Sequence, residues 1–171
     1  MLSEVSGNFE ILVFSDTHGS ASLMKKALAD HPDADVIFLG DGLADLNFTD
    51  LSGRNLIAAA GNCDDLYNES RSPEERVPQF VIADLHGVKT YITHGAHEGV
   101  KYGFGFAAET ACRCGCDLLL FGHTHRMTDE YLTLDRTVHI FNPGSAGRGL
   151  HPSYGLLTFR DGKMLTSHFS K

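Results

Sequence analysis

The sequence predicts an α/β fold in which two β-sheets pack face to face with helices outside. Three observations carry this reading. The first sixty residues alternate short apolar runs with a helical stretch, the rhythm of a parallel sheet. The last third is made of hairpins around tight turn pairs. Several apolar runs end in loops rich in Asp, His and Gly, and ligand sites of open α/β sheets lie at such strand ends.

Residues 11–14, Ile-Leu-Val-Phe, form an apolar run bounded by polar residues and read as a buried strand. Residues 20–30 place Leu23, Met24, Ala27 and Leu28 on one helical face. Residues 36–39 and 55–60 read as two further buried strands. Residues 64–78 are polar, contain Pro73 and Pro78, and read as a surface loop. Residues 80–85 and 89–93 flank His86-Gly87, which predicts a hairpin. Residues 103–113 read as a helix, with Gly115 placed to cap it. The run at 103–108 matches G-x-G-x-x-A, but it follows no buried strand and reads as a helix start rather than a dinucleotide site. Residues 118–121 predict another short buried strand. Two hairpins close the chain: 127–134 with 137–141 around Asp135-Arg136, and 154–160 with 163–169 around Asp161-Gly162, a strong turn pair.

A length of 171 residues fits one domain spanning 1–171, and a chain of this size needs no disulfide staple. The formal net charge of −8 argues against an extended nucleic-acid surface, which would need clustered Lys and Arg. The longest apolar stretches, at 57–60 and 118–121, fall far short of the ~18 residues a membrane span needs. Residues 1–10 lack the basic flank and apolar segment of a secretory leader. Cys112, Cys114 and Cys116 form a C-x-C-x-C run without the C-x₂-C spacing of a metal cluster. They read as reduced thiols at the end of a helix, and the protein as cytoplasmic. Exposed hairpin edges are compatible with a homodimer or higher homo-oligomer.

The chemistry lies where the strands end. The run at 11–14 leads into Ser15-Asp16-Thr17-His18-Gly19, and that at 36–39 into Gly40-Asp41-Gly42. The third strand leads into Gly61-Asn62-Cys63-Asp64, and residues 89–92 into Thr93-His94-Gly95. Residues 118–121 lead into Gly122-His123-Thr124-His125. A single D-x-H or H-x-H is near chance in a chain this rich in Asp and His. Five ligand-bearing turns in order are not. Asp16, His18, Asp41, Asn62, His94, His123 and His125 offer only nitrogen and oxygen donors. Such a set suits Mn²⁺, Fe²⁺, Zn²⁺, Co²⁺ or Ni²⁺. Seven side chains exceed the needs of one catalytic ion but fit two if one carboxylate bridges. Two ions roughly 3.5–4 Å apart can clamp the attacking and leaving oxygens of an in-line displacement. The residues therefore point to metal-assisted hydrolysis of a small phosphate ester.

The blocks D-T-H at 16–18, G-D at 40–41, G-N-C-D at 61–64, T-H-G at 93–95 and G-H-T-H at 122–125 together resemble the calcineurin-like metallophosphoesterases. The likeness is closest to their small bacterial and archaeal phosphodiesterase branch, and N-P-G-S at 142–145 adds to it. The resemblance implies a four-layer αββα sandwich and two divalent metal ions, with Mn²⁺ the first choice. It implies that Asp16, His18 and His125 hold one ion, that Asn62, His94 and His123 hold the other, and that Asp41 bridges. It further implies attack on phosphorus by a hydroxide shared between the ions.

Cys63 departs from much of that family, which has His there. A thiol beside two cations tends toward thiolate, which donates no proton. Such an enzyme should prefer aryl phosphodiesters, with their acidic leaving groups, over alkyl ones. The alternative is that Cys63 only fills space. Asp64 is expected to orient a neighbouring group or cap a turn. His97 and Arg148 are candidates to reach substrate, and residues 142–145 to line the rim or simply turn the chain. His31, His86, His139, His151 and His168 lack the strand-end context. A phosphomonoesterase shares the same metals, and a protein-binding scaffold shares the same fold, so both stay open at this stage.

Overall fold

The computed structural model describes residues 7–171. The reading of residues 1–10 as lacking a leader therefore falls in part on residues 1–6, outside the described residues. Among the described residues ten strands form two sheets of five. In chain order they are β1 (Phe9–Phe14), β2 (Asp35–Phe38), β3 (Leu56–Ala58), β4 (Phe80–Leu85), β5 (Val88–Thr93), β6 (Leu118–Leu120), β7 (Met127–Thr133), β8 (Thr137–Pro143), β9 (Ser153–Arg160) and β10 (Lys163–Ser170). The helices are α1 (Ser22–Asp30), α2 (Asp65–Glu69) and α3 (Gly105–Arg113).

The first sheet runs β10-β9-β1-β2-β3, and the second β4-β5-β6-β8-β7. Both are mixed. β1, β2 and β3 are parallel, as are β5, β6 and β8, while the hairpin partners are antiparallel. The alternation of side chains along each strand distributes them among three apolar layers. Leu12, Phe14, Val36 and Phe38 face α1, packing on Leu23, Met24, Ala27 and Leu28. Ile11, Val13 and Ile37 face the other way, onto Ile92, Leu118, Leu120 and Phe141 of the second sheet. Leu119, Val138 and Ile140 point outward onto Ala107, Ala108 and Ala111 of α3. This is the αββα sandwich. Its inner strands are apolar on both faces, which is why they read as continuous runs rather than alternating ones.

Three sequence expectations need correction. β3 is an edge strand shortened to three residues, and Leu56 is exposed on it, so it is not a buried strand. Residues 64–78 are not an irregular loop. They hold α2 and a 3₁₀ turn at Pro73–Glu75. Asn68 Nδ2 donates to the Val77 carbonyl while Val77 N–H donates to Asn68 Oδ1. α3 starts at Gly105 rather than at residue 103, because a separate 3₁₀ turn, Val100–Tyr102, precedes it. Gly115 does close α3. At φ +73° its N–H bonds the Cys112 carbonyl and Cys116 N–H bonds the Ala111 carbonyl, the paired bonds of a Schellman cap.

All four cysteines are free. Cys116 is buried beneath α3. Among the described residues, none of Cys112, Cys114 and Cys116 joins a group of side chains placed to share a metal. No helix among the described residues is long and apolar enough to cross a membrane.

Candidate metal centre

The parallel strands deliver their carboxyl-end loops to one place, and backbone hydrogen bonds stitch those loops together. Asp16 N–H donates to the Gly40 carbonyl and His18 N–H to that of Asp41. Gly122 N–H donates to the His94 carbonyl, which ties the fourth and fifth loops. Gly122 lies against Ser15, and a methyl group there would collide with the serine hydroxyl. The glycine is the only residue that lets the loop after β6 close on the loop after β1.

Two groups of donors result. Asp16 Oδ1, His18 Nε2 and His125 Nε2 face one another, with 3.1 Å between Asp16 and His125 and 3.3 Å between the imidazoles. Asp41 Oδ2, His94 Nε2 and His123 Nδ1 form the second, at 3.3 Å and 3.1 Å. Asp41 Oδ2 also lies 3.8 Å from His18 Nε2, so this carboxylate stands between the groups. Asn62 is exposed on the adjoining loop, with its side-chain nitrogen 3.5 Å from Cys63 Sγ. Cys63 Sγ forms a third group with His18 and Asp41.

Three of the donors are aimed by their other atoms. Asp16 Oδ2 accepts from Ser15 Oγ and His123 N–H, which turns Oδ1 toward the imidazoles. Asp41 Oδ1 accepts from Cys63 N–H at 2.7 Å, leaving Oδ2 for the site. His94 Nδ1 donates to the Leu39 carbonyl at 2.7 Å. That fixes the tautomer and presents the Nε2 lone pair, as metal-binding imidazoles require. The backbone is also held in an uncommon state. Asp16, His18, Asp41, His123 and His125 all have φ between +45° and +65°. Non-glycine residues pay about 1–2 kcal/mol for that region, and such outliers gather at functional sites.

The electrostatics call for cations. Asp16, Asp41, Asp45 and Asp64 are all buried around the centre. Among the described residues none of them is paired with Lys or Arg. Burial pushes Asp41 upward, but the His94 hydrogen bond and charge, with the Cys63 N–H, outweigh it and hold the carboxyl well below the usual range. Burial pushes His94 down, yet its bond to Asp41 and the charges of Asp16 and Asp41 leave it raised. His123 is lowered by burial, by His94 and by Lys101. In the chain alone, burial and Asp41 push the Cys63 thiol up to about 11. The thiolate expected from the sequence would depend on cations strong enough to offset these carboxylates.

Asp64 points away from the donors. Its Oδ2 accepts from Asp41 N–H and Gly61 N–H, and its Oδ1 from Gly42 N–H and Leu43 N–H. The residue organises two ligand loops. Sequence reasoning missed Asp45, which does the same for the first loop by accepting from Thr17 Oγ1 and Gly19 N–H. It also undervalued Asn142 and Ser145. Asn142 Nδ2 donates to the Gly122 carbonyl and to Thr124 Oγ1, and Ser145 Oγ donates to the Asp16 carbonyl. These residues carry no metal-ligand signature, and only the polar run N-P-G-S hinted at them. His97 and Arg148 are exposed on the flanking loops. His31, His139 and His168 are occupied elsewhere, on Glu10, Asp129 and the Asn142 carbonyl.

Comparison with known proteins shows the family and the fold. The model of the calcineurin-like phosphoesterase superfamily domain matches residues 9–162. A probable metallophosphoesterase of Mycoplasma pneumoniae is 30% identical over 169 residues, covering 95% of this chain and 98% of that protein. A phosphodiesterase of Methanocaldococcus jannaschii is 28% identical over 148 residues, covering 79% and 82%. The solved structure of an archaeal phosphodiesterase superposes with a TM-score of 0.66 at 24% identity, over 95% of this chain and all of that one.

Proposed function

The chain belongs to the calcineurin-like phosphoesterase superfamily, and on that premise we propose that it is a metal-dependent phosphodiesterase with a two-ion centre. The observation that carries the proposal is Asp41, which groups with His94 and His123 while its Oδ2 also lies 3.8 Å from His18 of the other group. A single ion would leave one group without a role. Asp16, His18 and His125 would hold the first ion, and His94, His123 and Asn62 the second. Mn²⁺ is the first candidate, with Fe²⁺, Zn²⁺, Ni²⁺ and Co²⁺ behind it. Divalent ions at such a centre supply Lewis acidity and an activated water for in-line attack on phosphorus.

The chain's own contribution is positional. The left-handed ligand loops and their carboxylate braces set the donors before any ion arrives, so little reorganisation accompanies the reaction. The site lies at the surface, with His125 and Cys63 exposed, and a small phosphate ester can approach it directly. The test is turnover by chelator-stripped protein before and after Mn²⁺ is added. Bis(p-nitrophenyl) phosphate should be hydrolysed only with metal, and faster than p-nitrophenyl phosphate. A faster monoester reaction would make the protein a phosphomonoesterase. Metal binding without turnover on either ester would favour a scaffold.

Cys63 bears on the choice of leaving group. Its Sγ sits in the group with His18 and Asp41, so a proton donor at this position would lie beside the proposed metal centre. An imidazole there can protonate an alkoxide, and general acid catalysis contributes ~100-fold or more. Cys63→His is therefore expected to raise the rate on an alkyl phosphodiester at least about tenfold relative to an aryl one. An unchanged alkyl-to-aryl ratio would mean that Cys63 only packs.

A further inference from the structure

Three loops that carry or brace ligands also present cations at the edge of the site. Arg126 directly follows His125, and its own N–H is held by Thr124 Oγ1. Arg148 N–H donates to Ser145 Oγ, which in turn donates to the Asp16 carbonyl. Lys101 lies in the 3₁₀ turn after His94. That turn is pinned by the bond from Val100 N–H to the Gly95 carbonyl, with Val100 filling the space a side chain at Gly95 would need.

These side chains have no other occupation in the fold. Arg54, Arg71, Arg76, Arg136 and Arg160 each donate to a protein acceptor. Among the described residues Lys101, Arg126 and Arg148 make neither a side-chain hydrogen bond nor an ion pair, and all three are exposed. Among the described residues Lys25, Lys26, Arg113, Lys163 and Lys171 are free of such bonds too, so what distinguishes Lys101, Arg126 and Arg148 is their place on the loops that carry or brace the ligands. The reacting phosphate of a diester carries one negative charge, and the proposed metal centre already answers it. A rim of three further cations has no partner in such a substrate unless the substrate carries another anion.

Resting on the phosphodiesterase reading, we infer that Lys101, Arg126 and Arg148 form a second anion subsite, so that the preferred substrate is a phosphodiester bearing an additional phosphate or carboxylate. Guanidinium groups suit this task because their planar donors match either oxyanion two bonds at a time. The subsite would act on substrate binding, and salt would weaken it because the groups are exposed.

The experiment compares two esters with the same reacting centre, thymidine 5′-(p-nitrophenyl phosphate) with and without a 3′-phosphate, on the Mn²⁺-loaded protein. Exposed charges are individually weak, so the three together should lower KM by about tenfold for the 3′-phosphorylated ester, less at high salt. In Lys101→Gln/Arg126→Gln/Arg148→Gln the KM ratio should fall toward one. A control with Lys25, Lys26 and Lys163 changed to Gln, which alters net charge equally, should keep the ratio. No preference in the parent protein, or equal loss in the control, overturns the subsite. If neither ester is cleaved, it is the phosphodiesterase reading that fails. Titration with thymidine 3′,5′-bisphosphate against thymidine 5′-monophosphate then decides the subsite. About tenfold tighter binding of the bisphosphate, lost in the triple variant, supports it. Equal binding refutes it.

Discussion

Asp41→Asn should reduce Mn²⁺-restored phosphodiester hydrolysis by at least about 100-fold, because even partners one step removed from a metal cost 10–100-fold when lost. The substitution is nearly isosteric. Asn keeps an oxygen able to accept the Cys63 N–H now bonded to Asp41 Oδ1, so the loop has no reason to collapse. What disappears is the charge between the two donor groups. The bound metal should fall from two ions per chain to one or none, measured by elemental analysis after gel filtration. The metal-free variant should melt within a few degrees of the metal-free parent. That combination separates a lost bridge from a lost fold. Turnover that survives with two ions bound would mean that Asp41 does not bridge, and the two-ion reading would fall with it.

The contrast between Asp41 and its neighbours shows what a sequence can disclose. The candidate ligands stood out in the sequence because the chemistry of a cation site is restrictive. A cation site needs Asp, His and Asn side chains at strand ends, and few other arrangements place five such turns in order. The inner strands were legible for an equally physical reason, since β1, β2 and β6 are buried on both faces and admit almost no polar residue. β3 was misread because its apolar residues resemble those of an inner strand. Its edge position depends on which strand fails to pair beyond it, and that is not a local property. Asp45, Asn142 and Ser145 were opaque for another reason. They act by accepting or donating to backbone groups, a task open to many polar residues, so nothing in their spacing distinguishes them from solvated loop residues. The left-handed backbone of five candidate ligands was invisible too, because Asp and His are not glycine. It follows from the closeness of the loops, which the sheet order imposes.

The loop braces should prove as important to folding as the ligands are to chemistry, and Asp64 is the decisive case. The residue is 3% exposed, and its carboxylate takes four backbone N–H groups, from Asp41, Gly42, Leu43 and Gly61. Asp64→Ala leaves four donors in a space too tight for an easy rearrangement, since Gly61 is packed against the Asp41 backbone and carboxylate. Bonds to a charged acceptor are worth about 1.5–3 kcal/mol each and are not additive, so a total loss of about 3–5 kcal/mol is expected. For a chain of this size that corresponds to a fall in Tm of roughly 10 °C or more. Asp64→Asn should fare only partly better, because its amide nitrogen would face donors that have nothing to accept them. Both variants should also bind metal more weakly than the parent at a temperature where they remain folded, since Asp41 and the start of its loop lose their anchor. Isothermal denaturant unfolding of the metal-free proteins, with metal titration alongside, measures the two effects separately. A variant that keeps its stability but loses turnover alone would place Asp64 at the substrate rather than behind the ligands, in conflict with the four bonds it makes.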